Sequence, residues 1–109
     1  MKNHNKDISK SIIKGFLLGF IKIHILHHAR QEPIYGKEFQ AELQQHGYEL
    51  SFGTLYPIFH KLEKKGYLDS EKRVTGGRVR KYYHITEKGI LVLEEAKVKA
   101  RELFREIDT

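Results

Sequence analysis

Apolar residues recur at helical spacing along most of this chain, and the period changes once. From Ile8 to about His28, Ile12, Ile13, Phe16, Leu17, Leu18, Phe20, Ile21, Ile23, Ile25 and Leu26 cover most of a helical wheel. A stripe that wide predicts a helix buried on two sides, one against the chain's own core and the other most simply against a second protomer. The polar lead-in, Met1 to Lys6, is expected to fray. Gln31 to Pro33 interrupts the pattern. Tyr35 to Gln45 then sets Phe39 and Leu43 against Lys37, Glu38, Gln40 and Glu42, with Gly47 placed as a C-terminal cap. In Ser51 to Gly66, the residues Leu55, Ile58, Phe59 and Leu62 fall at i, i+3, i+4 and i+7, which is one helical face. Ser51 suits the N-cap, and Pro57 suits a kinked or late-starting first turn with an irregular boundary.

Past Gly66 the chain turns aromatic and β-branched. Tyr67 to Thr75 and Val79 to Ile85 predict two strands, joined by a tight turn at Gly76-Gly77. Thr86 caps a last helix whose Leu93, Ala96, Ala100, Leu103 and Ile107 are spaced 3, 4, 3, 4, an a/d seam of two heptads. Ile90, Leu91, Val98 and Phe104 widen that surface. The helix is expected to pack on the first helix and on a partner chain, although two heptads also suit an amphipathic helix on its own core. The fold expected is mainly α with a small β-hairpin. It is a winged helix-turn-helix over about residues 8–85 with an added C-terminal dimerisation helix over about 86–109, together a single domain of residues 1–109.

Charge sharpens the picture. The 109 residues carry a formal net charge of +6, and residues 51–85 hold eight Lys or Arg against three acids. The basic helix and hairpin therefore form a polyanion-binding face, with an anionic membrane surface as the alternative partner. The apolar run from Gly15 to Ile21 is cut by Lys14, Lys22 and His24, so no membrane span is expected. With no cysteine, there is no thiolate zinc site and no Cys nucleophile, and a cytoplasmic setting is the default. No nucleophile-base set or carboxylate pair stands out, so no enzyme and no cofactor are expected.

Two chemistries remain. Phe52, Thr54, His60 and Lys61 are placed to reach into or beside a DNA groove, and Lys64 extends the same basic face. Arg73, Arg78, Arg80 and Lys81 cluster about the hairpin tip. In the first helix His24, His27 and His28 form a metal candidate, since 24 and 28 lie at i and i+4. Surface or interface histidines are the commoner outcome of such spacing, and Glu32 is the one carboxylate near them in sequence.

The runs YGKEFQAEL (35–43), SFGTLYPIFHKLEKKGYL (51–68) and GGRVRKYYHITEKG (76–89), in that order, resemble the PadR family of transcriptional regulators over about residues 12–95. The resemblance implies a homodimeric bacterial or archaeal repressor of double-stranded DNA, released by a small molecule or another cue. It implies a recognition helix in the major groove, a wing on the flanking backbone or minor groove, and a dimerising C-terminal helix. By position, Tyr35 and Gly36 match the start of the positioning helix. Ser51, Gly53, Thr54, Tyr56 and Pro57 match the opening of the recognition helix, and Gly76, Gly77, Arg78, Arg80, Lys81 and Tyr82 match the wing. Ile12, Phe16, Phe20, Leu93, Ala96, Ala100, Leu103, Phe104 and Ile107 are the expected dimer interface. Their apolar surplus leaves room for an effector pocket between the first helix, the last helix and the partner's copies of both, lined by residues such as Phe16, Phe20, Leu93 and Phe104, with plain dimer core as the commoner role of such residues. One long helix after the wing and the absence of tryptophan place the chain with the short branch of that family. A winged-helix adaptor for proteins, and a metal-sensing repressor using the first helix, are the alternative functions.

Overall fold

A computed structural model describes the backbone from Lys2 to Asp108 and the side chains from Lys10 to Asp108. The order of elements is α1 (Lys2–Gln31), β1 (Ile34–Tyr35), α2 (Gly36–Gln45), α3 (Phe52–Lys64), β2 (Leu68–Thr75), β3 (Arg78–Ile85) and α4 (Glu87–Ile107). α1 starts at Lys2, so the lead-in expected to fray is helical, because extending an existing helix costs little. Met1 lies outside the described residues.

The core gathers one face from every element. Ile21, Ile25, Leu26 and Ala29 of α1 meet Ile34, Phe39 and Leu43, then Leu55, Phe59 and Leu62 of α3, with Leu68, Tyr83 and Leu93 closing it. Phe59 packs edge-on to Phe39 at 5.8 Å between ring centres and tilted against Tyr83 at 4.7 Å, which fixes α3 against both α2 and the sheet. By length and composition Lys10–Gln31 would suffice to cross a membrane, with mean hydropathy 1.3, despite the interrupting charges. Its second half supplies Ile21, Ile25, Leu26 and Ala29 to this core.

The sheet has three strands, not the two expected, in the order β1-β3-β2 and antiparallel throughout. Ile34 pairs with Tyr83 and Tyr35 with Tyr82, so the segment after Pro33 is a short strand before α2 begins. Two residues give no periodicity to read, and their pairing depends on β3, far along the chain. Between β2 and β3, Thr75 faces Arg78 across Gly76 and Gly77, whose φ values of 57° and 76° are those of a two-residue type I′ turn.

The boundary of α3 is regular where irregularity was expected. Ser51 accepts the Thr54 amide on its side chain at 3.2 Å, and Pro57 sits inside the helix. Pro57 has no N–H for the Gly53 carbonyl, so the helix passes it with one backbone hydrogen bond missing. α4 is docked by a similar device. Thr86 accepts the Gly89 amide at 3.0 Å and donates its hydroxyl to the Gly66 carbonyl at 2.6 Å.

The molecule is extended, 53 by 31 by 25 Å, with a radius of gyration of 16.0 Å. A compact chain of this length is expected near 13 Å. The excess comes from the first half of α1 and the second half of α4, which leave Ile12, Ile13, Phe16, Val98, Leu103, Phe104 and Ile107 exposed.

Candidate nucleic-acid interface

α3 buries Leu55, Phe59 and Leu62 and turns Ser51, Phe52, Gly53, Thr54, Tyr56, Pro57, His60, Lys61 and Lys64 outward. Tyr56 and His60, one turn apart, lie nearly parallel, 6.2 Å between ring centres at 12°. The recognition-helix candidates therefore share one exposed strip.

The wing is tied to that strip through Glu63, which sequence reasoning passed over. Glu63 accepts hydrogen bonds from Ser70 of β2 and from Lys81 of β3, the latter at 2.9 Å. Partial burial pushes the Glu63 carboxyl up, but the hydrogen bonds from Ser70 and Lys81 outweigh it and hold the group below its ordinary value. Lys81 is raised, chiefly by its hydrogen bond to Glu63. Lys81 is thus engaged with α3 rather than standing free at the wing tip, and it also lies 5.2 Å from the Tyr83 ring centre.

At the wing base the rings and cations stack. The Arg73 guanidinium lies 4.7 Å from the centre of the Tyr82 ring, Tyr82 lies 5.8 Å from Tyr35, and Arg80 lies 4.8 Å from Tyr35 on the ladder's other end. Such contacts hold long cations in fixed directions without neutralising them. Arg73 also donates to Glu71. Among the described residues the Arg80 Nε finds no hydrogen-bond partner. A cleft of about 180 Å³ brings Tyr35, Gly36, Phe52, Tyr56, Arg80 and Lys81 together between the helix-turn-helix and the wing. Arg78, Gly76 and Gly77 are exposed at the tip, and so are Val74 and Val79.

Gly36 is buried, and the Phe52 ring packs where its side chain would stand. Leu93, expected at a dimer interface, is fully buried in the core of this chain, since the a/d seam turns inward where α4 crosses α1. Ile12, Phe16, Ala100, Leu103, Phe104 and Ile107 are exposed, and Phe20 and Ala96 are half-buried. Of the residues expected to line a pocket shared with the partner's helices, Phe20 and Leu93 line a hollow of about 170 Å³ with Ile23, His24, His27 and Lys97. A larger apolar groove, about 520 Å³, runs between Ile13, Leu17, Leu18 and Ile21 of α1 and Tyr48, Leu50 and Thr54 at the turn into α3.

Folding also gives the α1 histidines neighbours that are distant in sequence. The rings of His24 and His28 lie 6.1 Å apart, and His46, just past α2, lies 5.5 Å from His24. Glu42 Oε1 is 3.2 Å from His46 Nε2 and 3.7 Å from His28 Nε2. Burial, then the neighbouring His46, His28 and His27, lower the His24 pKa. Burial lowers that of His28 against the pull of Glu42. His27 is exposed, with the Gln31 amide 3.4 Å from its Nε2.

The profile of the transcriptional regulator PadR-like family matches residues 25–95. The chain is 42% identical over 95 residues to transcriptional regulator Rv3488 of Mycobacterium tuberculosis, spanning 87% of this chain and 89% of that protein. Among solved structures, a PadR family transcriptional regulator from Eggerthella lenta superposes with a TM-score of 0.80 at 32% identity, covering 96% of this chain and 93% of that one. A PadR-like transcriptional regulator from Bacillus cereus gives a TM-score of 0.78 at 32% identity, covering 86% and 93%.

Proposed function

This chain belongs to the PadR-like family of transcriptional regulators, and we propose that it represses transcription from the cytoplasm by binding an inverted-repeat operator in double-stranded DNA as a homodimer. It is a regulator and not an enzyme. The observation that carries the DNA reading is the coupling of two basic surfaces. The exposed strip of α3 and the cations of the wing are held in one relation by Glu63, which bonds both Ser70 and Lys81.

In this reading Ser51, Phe52, Gly53, Thr54, Tyr56, Pro57, His60 and Lys61 meet the major groove. Tyr35, Lys64, Arg73, Arg78, Arg80 and Tyr82 meet phosphates, Lys81 braces the wing on α3 through Glu63, and Gly36, Gly76 and Gly77 shape the backbone behind them. Phosphate contacts supply affinity and register, while the few side chains of α3 that reach base edges supply sequence choice. The exposed apolar ends of α1 and α4 support the dimer, because surfaces of that kind usually mark an interface. A two-fold dimer sets the two recognition helices about 34 Å apart and so selects half-sites one turn apart. A small molecule or another cue releases the protein by altering the relation of the two protomers.

The test is a gel-shift titration against DNA from upstream of the protein's own gene, at two salt concentrations and with nonspecific competitor. A competitor-resistant shift that weakens steeply with salt, and that Arg80→Ala weakens further, is the expected result. Equal competition by any DNA, or a footprint on one unrepeated half-site, overturns the operator reading.

A further inference from the structure

α1 and α2 each present a pair of metal-ligating residue types one helical turn apart: His24 and His28 on α1, and Glu42 with His46 at the end of α2. Residues four apart share a helix face, so each pair acts as one two-pronged surface. The two surfaces face each other. His46 stands 5.5 Å from His24 between ring centres, and Glu42 Oε1 approaches the Nε2 atoms of both His46 and His28.

These separations come near those of ligands around a small ion, the imidazole rings standing somewhat farther apart. Donor atoms 2.0–2.1 Å from a tetrahedral ion lie about 3.4 Å from one another. The two distances from Glu42 Oε1 are 3.2 and 3.7 Å. Imidazoles sharing such an ion have ring centres roughly 5 Å apart, against 5.5 Å for His24 with His46 and 6.1 Å for His24 with His28. Among the described residues His24 Nδ1 is buried without a hydrogen-bond partner, so the cluster holds polar capacity that the protein leaves unused.

We propose that His24, His28, Glu42 and His46 form a binding site for a divalent transition-metal ion of the zinc, cobalt and nickel class, bridging α1 and α2. Three imidazoles and one carboxylate are a borderline donor set, which favours these ions over calcium or magnesium. Among the described residues no three donors already surround a common point. Gathering them requires rotation of the His28, Glu42 and His46 side chains, which solvent exposure of 26%, 36% and 49% permits. The ion then replaces the Glu42–imidazole contacts and draws the same atoms inward. Glu42 and His46 distinguish this site from the histidine pair of α1 alone, which any exposed helix with that spacing would offer.

The full-length protein, stripped with chelator, is titrated with Zn²⁺ alone by calorimetry, and with Co²⁺ by visible absorption, which reports tetrahedral coordination. We expect one ion per chain. Glu42→Gln and His46→Ala should each weaken Zn²⁺ binding at least about tenfold, the loss seen even for residues that only support a ligand, while His84→Ala leaves it unchanged. Glu42→Gln preserves side-chain shape, and circular dichroism of each variant separates lost ligation from lost folding. Zn²⁺ binding that survives both Glu42→Gln and His46→Ala, or no saturable binding, overturns the site. The titration contains no DNA, so its outcome is independent of the operator reading.

Discussion

The ring of Phe52 stands in the place that a side chain at Gly36 would need: a Cβ on Gly36 would lie 2.5 Å from Phe52 Cε2. Gly36 opens α2 and Phe52 opens α3, so this contact sets how closely the two helices of the helix-turn-helix approach. Gly36→Ala must turn the Phe52 ring aside. Because the clashing atom is the far end of a rotatable side chain, the cost is at the low end for overpacking, about 1 kcal/mol. Urea denaturation of Gly36→Ala, Phe52→Ala and the double variant tests the pairing. The cost of the alanine at 36 should largely disappear once Phe52 is truncated, and simple additivity would refute the contact.

Gly89 is the harsher case. A Cβ there would lie 2.2 Å from the Tyr67 carbonyl oxygen, which is backbone and has no rotamer to yield. Gly89→Ala should therefore destabilise the protein by about 3 kcal/mol, the upper end for overpacking. Thr86→Ala, which removes the cap from the same turn, should cost about 1 kcal/mol. Thermal melts rank the two, and the order Gly89→Ala above Thr86→Ala is the expected result.

Glu63 makes part of the stability depend on acid. Its carboxyl is held below the ordinary glutamate value in the folded state, so it binds a proton less readily there than in the unfolded chain. Its contribution is complete above the unfolded value, near 4.3, and is lost as pH falls through the lower folded value. Lys81 is the mirror case. Its raised value contributes below the ordinary lysine range and is lost as pH climbs through the folded one. Denaturation midpoints of the native protein and of Glu63→Gln should differ at neutral pH and converge in acid. A gap that persists unchanged in acid would show that the ionised carboxylate is not the cause.

The stacking of Arg80 on Tyr35 separates a ring's support from its hydroxyl. If the ring face orients the guanidinium, Tyr35→Phe should keep most of the DNA affinity, whereas Tyr35→Leu should weaken it several-fold. Arg80→Ala should reduce the salt slope of binding by about 0.9, the value of one phosphate contact. Equal losses in Tyr35→Phe and Tyr35→Leu would instead assign the contact to the hydroxyl.

Leu55, Phe59 and Leu62 announced the buried face of α3 because a helix repeats its geometry every few residues, and Gly76-Gly77 announced the hairpin because their positive φ values suit glycine. Ser51 and Thr86 were legible as caps for a similarly local reason. The ordered motifs from YGKEFQAEL to TEKG carried the family. What stayed hidden was pairing across the chain. β1 exists because β3 offers it hydrogen bonds, and Leu93 leaves the α4 seam for the core because α1 lies across it.

The sequence by itself determined the helices, the hairpin, the basic face and the family, since each is written in spacing, charge or a contiguous motif. Only the tertiary structure decided which residues meet. It set Glu63 between Ser70 and Lys81, Phe52 over Gly36, and Glu42 with His46 against the histidines of α1. The physical reason is that periodicity fixes the face on which a side chain lies, whereas its partner is fixed by how the faces of distant elements pack into one core.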